Sequence, residues 1–337
     1  MRKKYILWAI MLLIPGISGL ALLEIGLRAY KTLTYDGLLY VSGPSPNNMF
    51  HPKYGWISPR SAVYQKNDGC YGRGPVIYNS EGFRAPPLAE AERAWPIVCI
   101  LGDSTMQGYQ IPDGKYLPHL LRAELKKAYP DVYVLPLAVG GYGTLQEYML
   151  YQDICRPLEP DLIIWHWAEN DPVNNSFLAE RSGKTSNNAR RRPYFEGGQI
   201  VYKRPYPIHL SDYLDGLMIL KIANTIALTL QSKPPLQEHL KNIERGWVVS
   251  DHFIGLLAKN AKSPLIALVP ETAIRATEMF RRHGYRIATY KPFSEEATCK
   301  PRDDHPNQRG HSAMLEVLLP TVCQSFPRIC GAVSDTD

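Results

Sequence analysis

The chain has 337 residues, 45% of them hydrophobic and 21% charged, with a formal net charge of +6. This composition suits one sizeable core and excludes both global disorder and a three-domain chain. The positive charge is mild and mostly scattered, and no basic helix or basic-aromatic interleaving appears, so no nucleic-acid partner is indicated.

Arg2, Lys3 and Lys4 precede a stretch, 5–23, that carries no charge. As a helix rising about 1.5 Å per residue it would reach roughly 28 Å, close to the bilayer hydrocarbon thickness of about 30 Å. The basic start predicts a cytoplasmic N-terminus and an extracytoplasmic bulk. A cleavable signal peptide is the competing reading, with Ser18-Gly19-Leu20-Ala21 as a loose cleavage site. Residues 1–31 thus read as a transmembrane anchor with a juxtamembrane helical extension at 24–31. Residues 32–94, rich in Gly, Pro, Asn and Tyr, read as an irregular lead-in with short strands such as Pro75-Val76-Ile77-Tyr78.

A domain at 95–330 follows. The apolar run 96–101 ends in Gly102 and predicts a buried strand entering a tight turn. Residues 116–128 place Leu117, Leu120, Leu121, Leu125 and Ala128 at helical spacing. A second strand is predicted at 132–137. It leads into the glycine-rich Gly140-Gly141-Tyr142-Gly143, and Thr144 then caps a helix running to Cys155. A third strand is predicted at 161–167, a fourth at 263–269 and a closing helix at 310–319. Strands alternating with helices imply βαβ units and a parallel sheet covered on both faces. Residues 178–250 read as an insertion, with a hairpin at 194–202 and an amphipathic helix at 213–230. Within it Arg190, Arg191 and Arg192 lie among Ser182, Ser186, Asn187 and Asn188. This cluster reads as a solvated loop, with attraction to anionic glycans or lipid headgroups as the sharper alternative.

The six cysteines, Cys70, Cys99, Cys155, Cys299, Cys323 and Cys330, show no metal-site spacing. Cys99 lies in an apolar run and reads as a small buried hydrophobe. Among the others, one or two disulfides are expected in an oxidising compartment, with connectivity open.

In open α/β sheets, chemistry collects at the carboxyl ends of the strands. Four polar groups fall there or just before the last helix: Gly102-Asp103-Ser104, Gly140 to Gly143, Ala168-Glu169-Asn170-Asp171, and Arg302-Asp303-Asp304-His305-Pro306-Asn307. A serine on a sharp strand-to-helix turn exposes its hydroxyl; a histidine can take its proton; an aspartate can fix the histidine's tautomer. Backbone N–H groups and an asparagine amide can hold an oxyanion. Singly, each group also reads as a turn or a cap. His166, Trp165 and Trp167 read as core, though either tryptophan could line the pocket. His311 reads as a helix surface residue, and Asp103 and Asp171 as braces for the loops.

Taken together and in order, the four groups resemble the SGNH hydrolases, the GDSL-type lipase/esterase superfamily. The first block is matched by Gly102-Asp103-Ser104 with Gly108, and the second by Gly141 followed by Tyr142-Gly143-Thr144. The third is matched by Asn170-Asp171, and the fifth by Asp303 to His305 with Pro306-Asn307. The resemblance covers 95–175 and 263–322. It implies a flavodoxin-like three-layer α/β/α fold, no metal or cofactor, and ester hydrolysis or acyl transfer. It makes Ser104 the nucleophile and His305 the base, and places the Ser104 and Gly141 N–H groups and the Asn170 amide in the oxyanion hole. Where the family usually has its acid this chain has Arg302; Asp303, two before His305, takes that role, with Asp304 the alternative. Ala168 stands where the third block usually begins with Gly, beside an extra carboxylate, Glu169. Pro136 and Ala138 lie where the second block often carries Asn.

The layout, with an anchor and long lead-in, is similar to bacterial membrane-tethered members. The expectation is therefore a single-pass protein of the inner membrane with a periplasmic catalytic domain. It would hydrolyse an O-acyl ester on a cell-envelope glycan or lipid through acyl-Ser104. O-acyl transfer by the same triad, and a non-catalytic glycan-binding or scaffold role, are the alternatives.

Overall fold

The computed structural model describes residues 2–33, 48–182, 191–205, 208, 210–211, 214, 217–230, 234–301 and 303–325. Helix α1 (Arg2–Leu33) contains the uncharged stretch. Side chains of its first residues lie outside the described set, and among the described residues no helix is long and apolar enough to cross a membrane. Most of the described apolar side chains of α1, among them Leu13, Ile14, Ile17 and Leu20, are exposed. Its Glu24 is buried, accepting the backbone N–H groups of Met218 at 2.9 Å and Ile219 at 3.1 Å. The carboxylate so accepts from two of the orphan N–H donors at the start of the helix Met218–Leu230. Tyr213, where the sequence pattern starts this helix, lies outside the described residues.

Five parallel strands form the central sheet: β1 (Ile97–Gly102), β2 (Tyr133–Ala138), β3 (Leu162–His166), β4 (Leu265–Pro270) and β5 (Arg286–Tyr290). Their spatial order is β2-β1-β3-β4-β5, all neighbours parallel. This is the flavodoxin-like order, with its switch point beside β1. Cys99, Leu101, Ile163, Trp165, Ala267 and Val269 face one side. They pack under α4 (Thr144–Leu150), α6 (Leu236–Asn260) and α7 (Ile274–Arg282). Val98, Ile100, Leu162, Ile164, Ile266 and Leu268 face the other, under α3 (Leu117–Lys126) and α8 (Gln308–Ser325). Burial on both faces is why these strands are continuous apolar runs rather than alternating ones. The expected three-layer arrangement is present.

Several local expectations are corrected. The sequence pattern did not show β5, an edge strand in which exposed Arg286 and Thr289 interrupt half-buried Ile287 and buried Ala288 and Tyr290. It also missed α6, whose helical pattern is broken by Gly246 and Gly255. A Cβ on Gly246 would fall 1.7 Å from the Pro172 carbonyl oxygen, so glycine is what lets α6 rest on the short helix Asp171–Asn174 that follows β3. Gly143, not Thr144, occupies the cap of α4; the Thr144 hydroxyl instead reaches Ser250 of α6 at 3.1 Å. From Tyr151 to Cys155 the chain winds as a wider π-type turn. There Cys155 is disulfide-bonded to Cys99, which is therefore not a free hydrophobe. A second disulfide joins Cys70 to Cys299, and Cys323 is also disulfide-bonded.

The lead-in is more regular than its composition suggests. Met49–His51 pairs with Gly55–Ile57, and Val63–Asp68 with Gly72–Ile77, both antiparallel. The insertion's hairpin pairs Arg192–Glu196 with Gln199–Lys203 around Gly197 and Gly198, both at positive φ. A two-residue hairpin loop of this kind favours glycine at both positions. His311 is buried rather than surface-exposed, and its Nδ1 accepts the Leu117 N–H at 3.1 Å, tying α8 to α3.

Candidate active site

The site is built at the carboxyl ends of β1, β2 and β3, with a fourth piece just ahead of α8. After β1, Asp103 caps the short α2 (Ser104–Gln107), its Oδ1 accepting the Thr105 N–H at 3.2 Å. This puts Ser104 at the first turn, partly exposed. Opposite it, Asp303–Pro306 pairs antiparallel with Thr298–Cys299. In an extended segment residues i and i+2 share a side, and Asp303 and His305 do so here. His305 Nε2 stands 2.8 Å from Ser104 Oγ, and His305 Nδ1 stands 2.6 Å from Asp303 Oδ1. The His305 backbone N–H also donates to that oxygen, at 3.0 Å. The structure thus brings Ser104, His305 and Asp303 into one hydrogen-bonded chain. Asp304 is not part of it: its carboxylate is 84% exposed and lies 3.7 Å from Lys300. Arg302 lies outside the described residues.

The electrostatics follow from the geometry. Burial favours the neutral Asp303 carboxyl, but the hydrogen bonds and charge of His305 and the Tyr71 hydroxyl outweigh it, lowering its pKa to about 2. Burial disfavours the charged His305 ring, yet Asp303, with help from Asp103 and Asp304, raises its pKa above the ordinary histidine value. The Ser104 hydroxyl has a close partner in His305 and a longer one in Asp103 Oδ2, at 3.3 Å. A neutral His305 leaves Nε2 free to accept; a protonated one turns the hydroxyl toward Asp103.

The other predicted residues take their places around this chain. The Asn170 amide, at the start of the short α5 (Asp171–Asn174), donates to Asp103 Oδ2 at 3.2 Å and so stands beside Ser104. Gly141 lies in the turn after β2 at φ +78, a conformation that favours glycine. Trp165 and Trp167 are core. His166 is buried as predicted, against the Tyr290 hydroxyl at 3.1 Å, and burial lowers its pKa to about 4. His311 is lowered to about 3, again by burial. Asp103 does brace the loops. Beneath it lie two buried acids, Glu147 and Asp171. Burial, helped by the Asp103 charge, raises Glu147 to about 8, and its Oε2 accepts the Trp165 indole N–H at 2.5 Å. Burial also raises Asp171, with Glu147 and Asp103 adding.

Four residues that sequence reasoning missed support the loops. Gln107 Oε1 accepts the Gly140 N–H at 2.9 Å. The Trp56 indole donates to the Gly140 carbonyl at 3.1 Å. Arg192 donates to the Gly141 carbonyl at 3.1 Å. Tyr71 bears on Asp303 and is held next to the Cys70–Cys299 bridge. Arg192 corrects the solvated-loop expectation for its cluster, since it is fully buried and ion-paired with Glu180 at 3.0 Å. Arg190 lies outside the described residues. No motif or spacing in the sequence marks these four.

No family model matches the chain, and neither does any curated protein. Among solved structures the chain is similar to TesA, at 13% identity over 69% of this chain and 99% of that one, with a TM-score of 0.37. It is also similar to a catalytic mutant of an acetylxylan esterase from Geobacillus stearothermophilus, at 11% identity over 67% and 94%, with a TM-score of 0.37. A third is the psychrotrophic esterase EstA from Pseudoalteromonas sp., at 10% identity over 68% and 97%, with a TM-score of 0.38.

Proposed function

We propose that the protein is a serine esterase of the SGNH type, tethered to the bacterial inner membrane with its catalytic domain in the periplasm. The observation that carries this reading is the Ser104–His305–Asp303 chain, with both links at 2.8 Å or shorter. Ser104 Oγ attacks the ester carbonyl while His305 Nε2 takes its proton. Asp303 holds Nδ1–H and stabilises the imidazolium that forms. The N–H groups of Ser104 and Gly141 and the Asn170 amide bear the oxyanion. His305 then protonates the leaving alcohol. Water, deprotonated by His305, then attacks acyl-Ser104, and His305 returns that proton to Ser104 Oγ as the acid leaves. No step calls for a metal or a cofactor.

The substrate is an O-acyl ester on a cell-envelope glycan or lipid. Support for the address comes from the basic start before 5–23, from the exposed apolar side chains of α1, and from disulfides, which persist in oxidising compartments. The test of function is turnover of a short aryl ester by the full-length protein in detergent. Wild type should turn over and Ser104→Ala should not; a folded wild type without turnover overturns the reading. Recovery of the protein in the inner-membrane fraction, with the bulk cleaved by protease added to spheroplasts, tests the address.

A further inference from the structure

We propose that Trp56, contributed by the lead-in from outside the α/β core, is a positioning residue for the oxyanion hole. The inference rests on the proposed function, in which Gly141 N–H receives the developing charge. That N–H and the Gly140 carbonyl belong to one planar trans peptide unit, so they point in opposite directions. Whatever grips the carbonyl aims the N–H. The group that grips it is the Trp56 indole N–H, 3.1 Å away on a fully buried side chain.

The unit needs a grip because of its sequence. It is flanked by glycines on both sides, and rotating a peptide changes only the ψ before it and the φ after it. At Gly140 and Gly141 neither rotation meets a Cβ, so the intrinsic barrier to turning the N–H away is low. The neighbouring units are anchored separately. Gly140 N–H donates to Gln107 Oε1 at 2.9 Å, and Gln107 Nε2 donates to Ser58 Oγ at 2.7 Å. Arg192 holds the Gly141 carbonyl at 3.1 Å. These bonds fix the two ends of the turn, and Trp56 fixes the unit between them.

Trp56 is itself immobilised. The Tyr142 hydroxyl donates to its carbonyl, and the Arg192 guanidinium lies 5.1 Å from its ring centre. The indole bond has a second effect: a donor on the carbonyl of an amide polarises the same amide's N–H and strengthens it as a donor. The first effect is geometric and the second electronic, and both act only when negative charge develops on the substrate oxygen. They belong to kcat, not to KM.

The experiment is kinetics on a p-nitrophenyl ester with the full-length protein carrying Trp56→Phe. In a second version Trp56 is replaced site-specifically by 3-benzothienylalanine, which keeps the bicyclic shape but has sulfur in place of N–H. Losing a whole oxyanion donor costs about 10²–10³ in rate; losing only its orientation should lower kcat by about 10-fold, with KM within about twofold. The pH midpoint of kcat/KM, set by His305, should not move, and the thermal midpoint of the benzothienylalanine protein should match wild type. Unchanged kcat in the benzothienylalanine protein would overturn the proposal, as would a loss confined to KM or to thermal stability. If Trp56→Phe fails to fold, the benzothienylalanine protein decides. Absence of turnover in wild type would instead strike the proposed function, so the two failures are distinguishable.

Discussion

Replacing Asp303 by Asn leaves shape nearly untouched and removes one charge, which makes it the sharpest perturbation of the proposed triad. Asp303 Oδ1 accepts two donors, the His305 ring N–H at 2.6 Å and the His305 backbone N–H at 3.0 Å. An amide has one oxygen and one NH2. With the amide oxygen at the Oδ1 position both bonds survive and the charge alone is lost; with the NH2 there, the backbone N–H loses its acceptor and the ring must carry its proton on Nε2. That is the nitrogen 2.8 Å from Ser104 Oγ, and a protonated Nε2 cannot take the serine's proton. Loss of the correct tautomer and of the carboxylate charge in such a chain costs about 10⁴-fold in kcat, or about 5 kcal/mol of transition-state stabilisation. The charge loss has a second signature. In wild type the His305 pKa is raised by Asp303, so kcat/KM should rise with pH through a midpoint above the ordinary histidine value. In Asp303→Asn the midpoint should move down and the plateau should fall. The assay is the pH profile of p-nitrophenyl ester hydrolysis, with Asp304→Asn as control. Asp304 is solvated, so its variant should stay within about twofold of wild type. Asp303→Asn within tenfold of wild type and with an unmoved midpoint would refute the reasoning, as would Asp304→Asn being the more damaging variant.

Other perturbations have defined outcomes. Because burial raises Glu147 to about 8, the folded state binds a proton that the unfolded state releases near its ordinary carboxylate value. Its stabilising contribution is therefore present below that ordinary value and lost as pH rises toward 8, and Glu147→Gln should flatten this decline in a melting-temperature series. Asp303 has the opposite sign: its contribution is present above the ordinary carboxylate value and is lost as pH falls toward about 2, so the wild-type advantage over Asp303→Asn in thermal stability should vanish in strong acid. Gly246→Ala places a Cβ 1.7 Å from the Pro172 oxygen and should destabilise by about 3 kcal/mol or more in urea unfolding. Replacing Cys70 and Cys299 by serine opens a cross-link spanning 229 residues and should cost about 2–5 kcal/mol in the same assay. It should also lower kcat, because Tyr71 beside the bridge bears on Asp303.

The sheet was legible because four of its strands are buried on both faces and so appear as unbroken apolar runs between turn residues. The edge strand β5 was not, since it is short and exposed Arg286 and Thr289 interrupt its apolar residues. Helix α6 was hidden by Gly246, which is there for close approach to Pro172 and lowers helical propensity to obtain it. The residues that meet at the candidate site were legible because each sits at a strand end with a chemistry-bearing side chain. Their supports were not. Trp56, Gln107 and Arg192 act on backbone groups of the Gly140–Gly141 turn, and a contact between a side chain and a distant main-chain carbonyl leaves no spacing in sequence. Arg192 was misread for a further reason: local polarity predicts exposure, whereas its burial depends on Glu180, which lies outside the polar stretch.

The central claim is that Ser104 is an activated nucleophile. The most direct measurement is the intact mass and peptide map of the full-length protein after treatment with a fluorophosphonate. The account predicts a single stoichiometric adduct on the peptide carrying Ser104, absent in Ser104→Ala and strongly slowed in His305→Ala. A folded wild type that takes up no adduct, or one modified on a different serine, would contradict it.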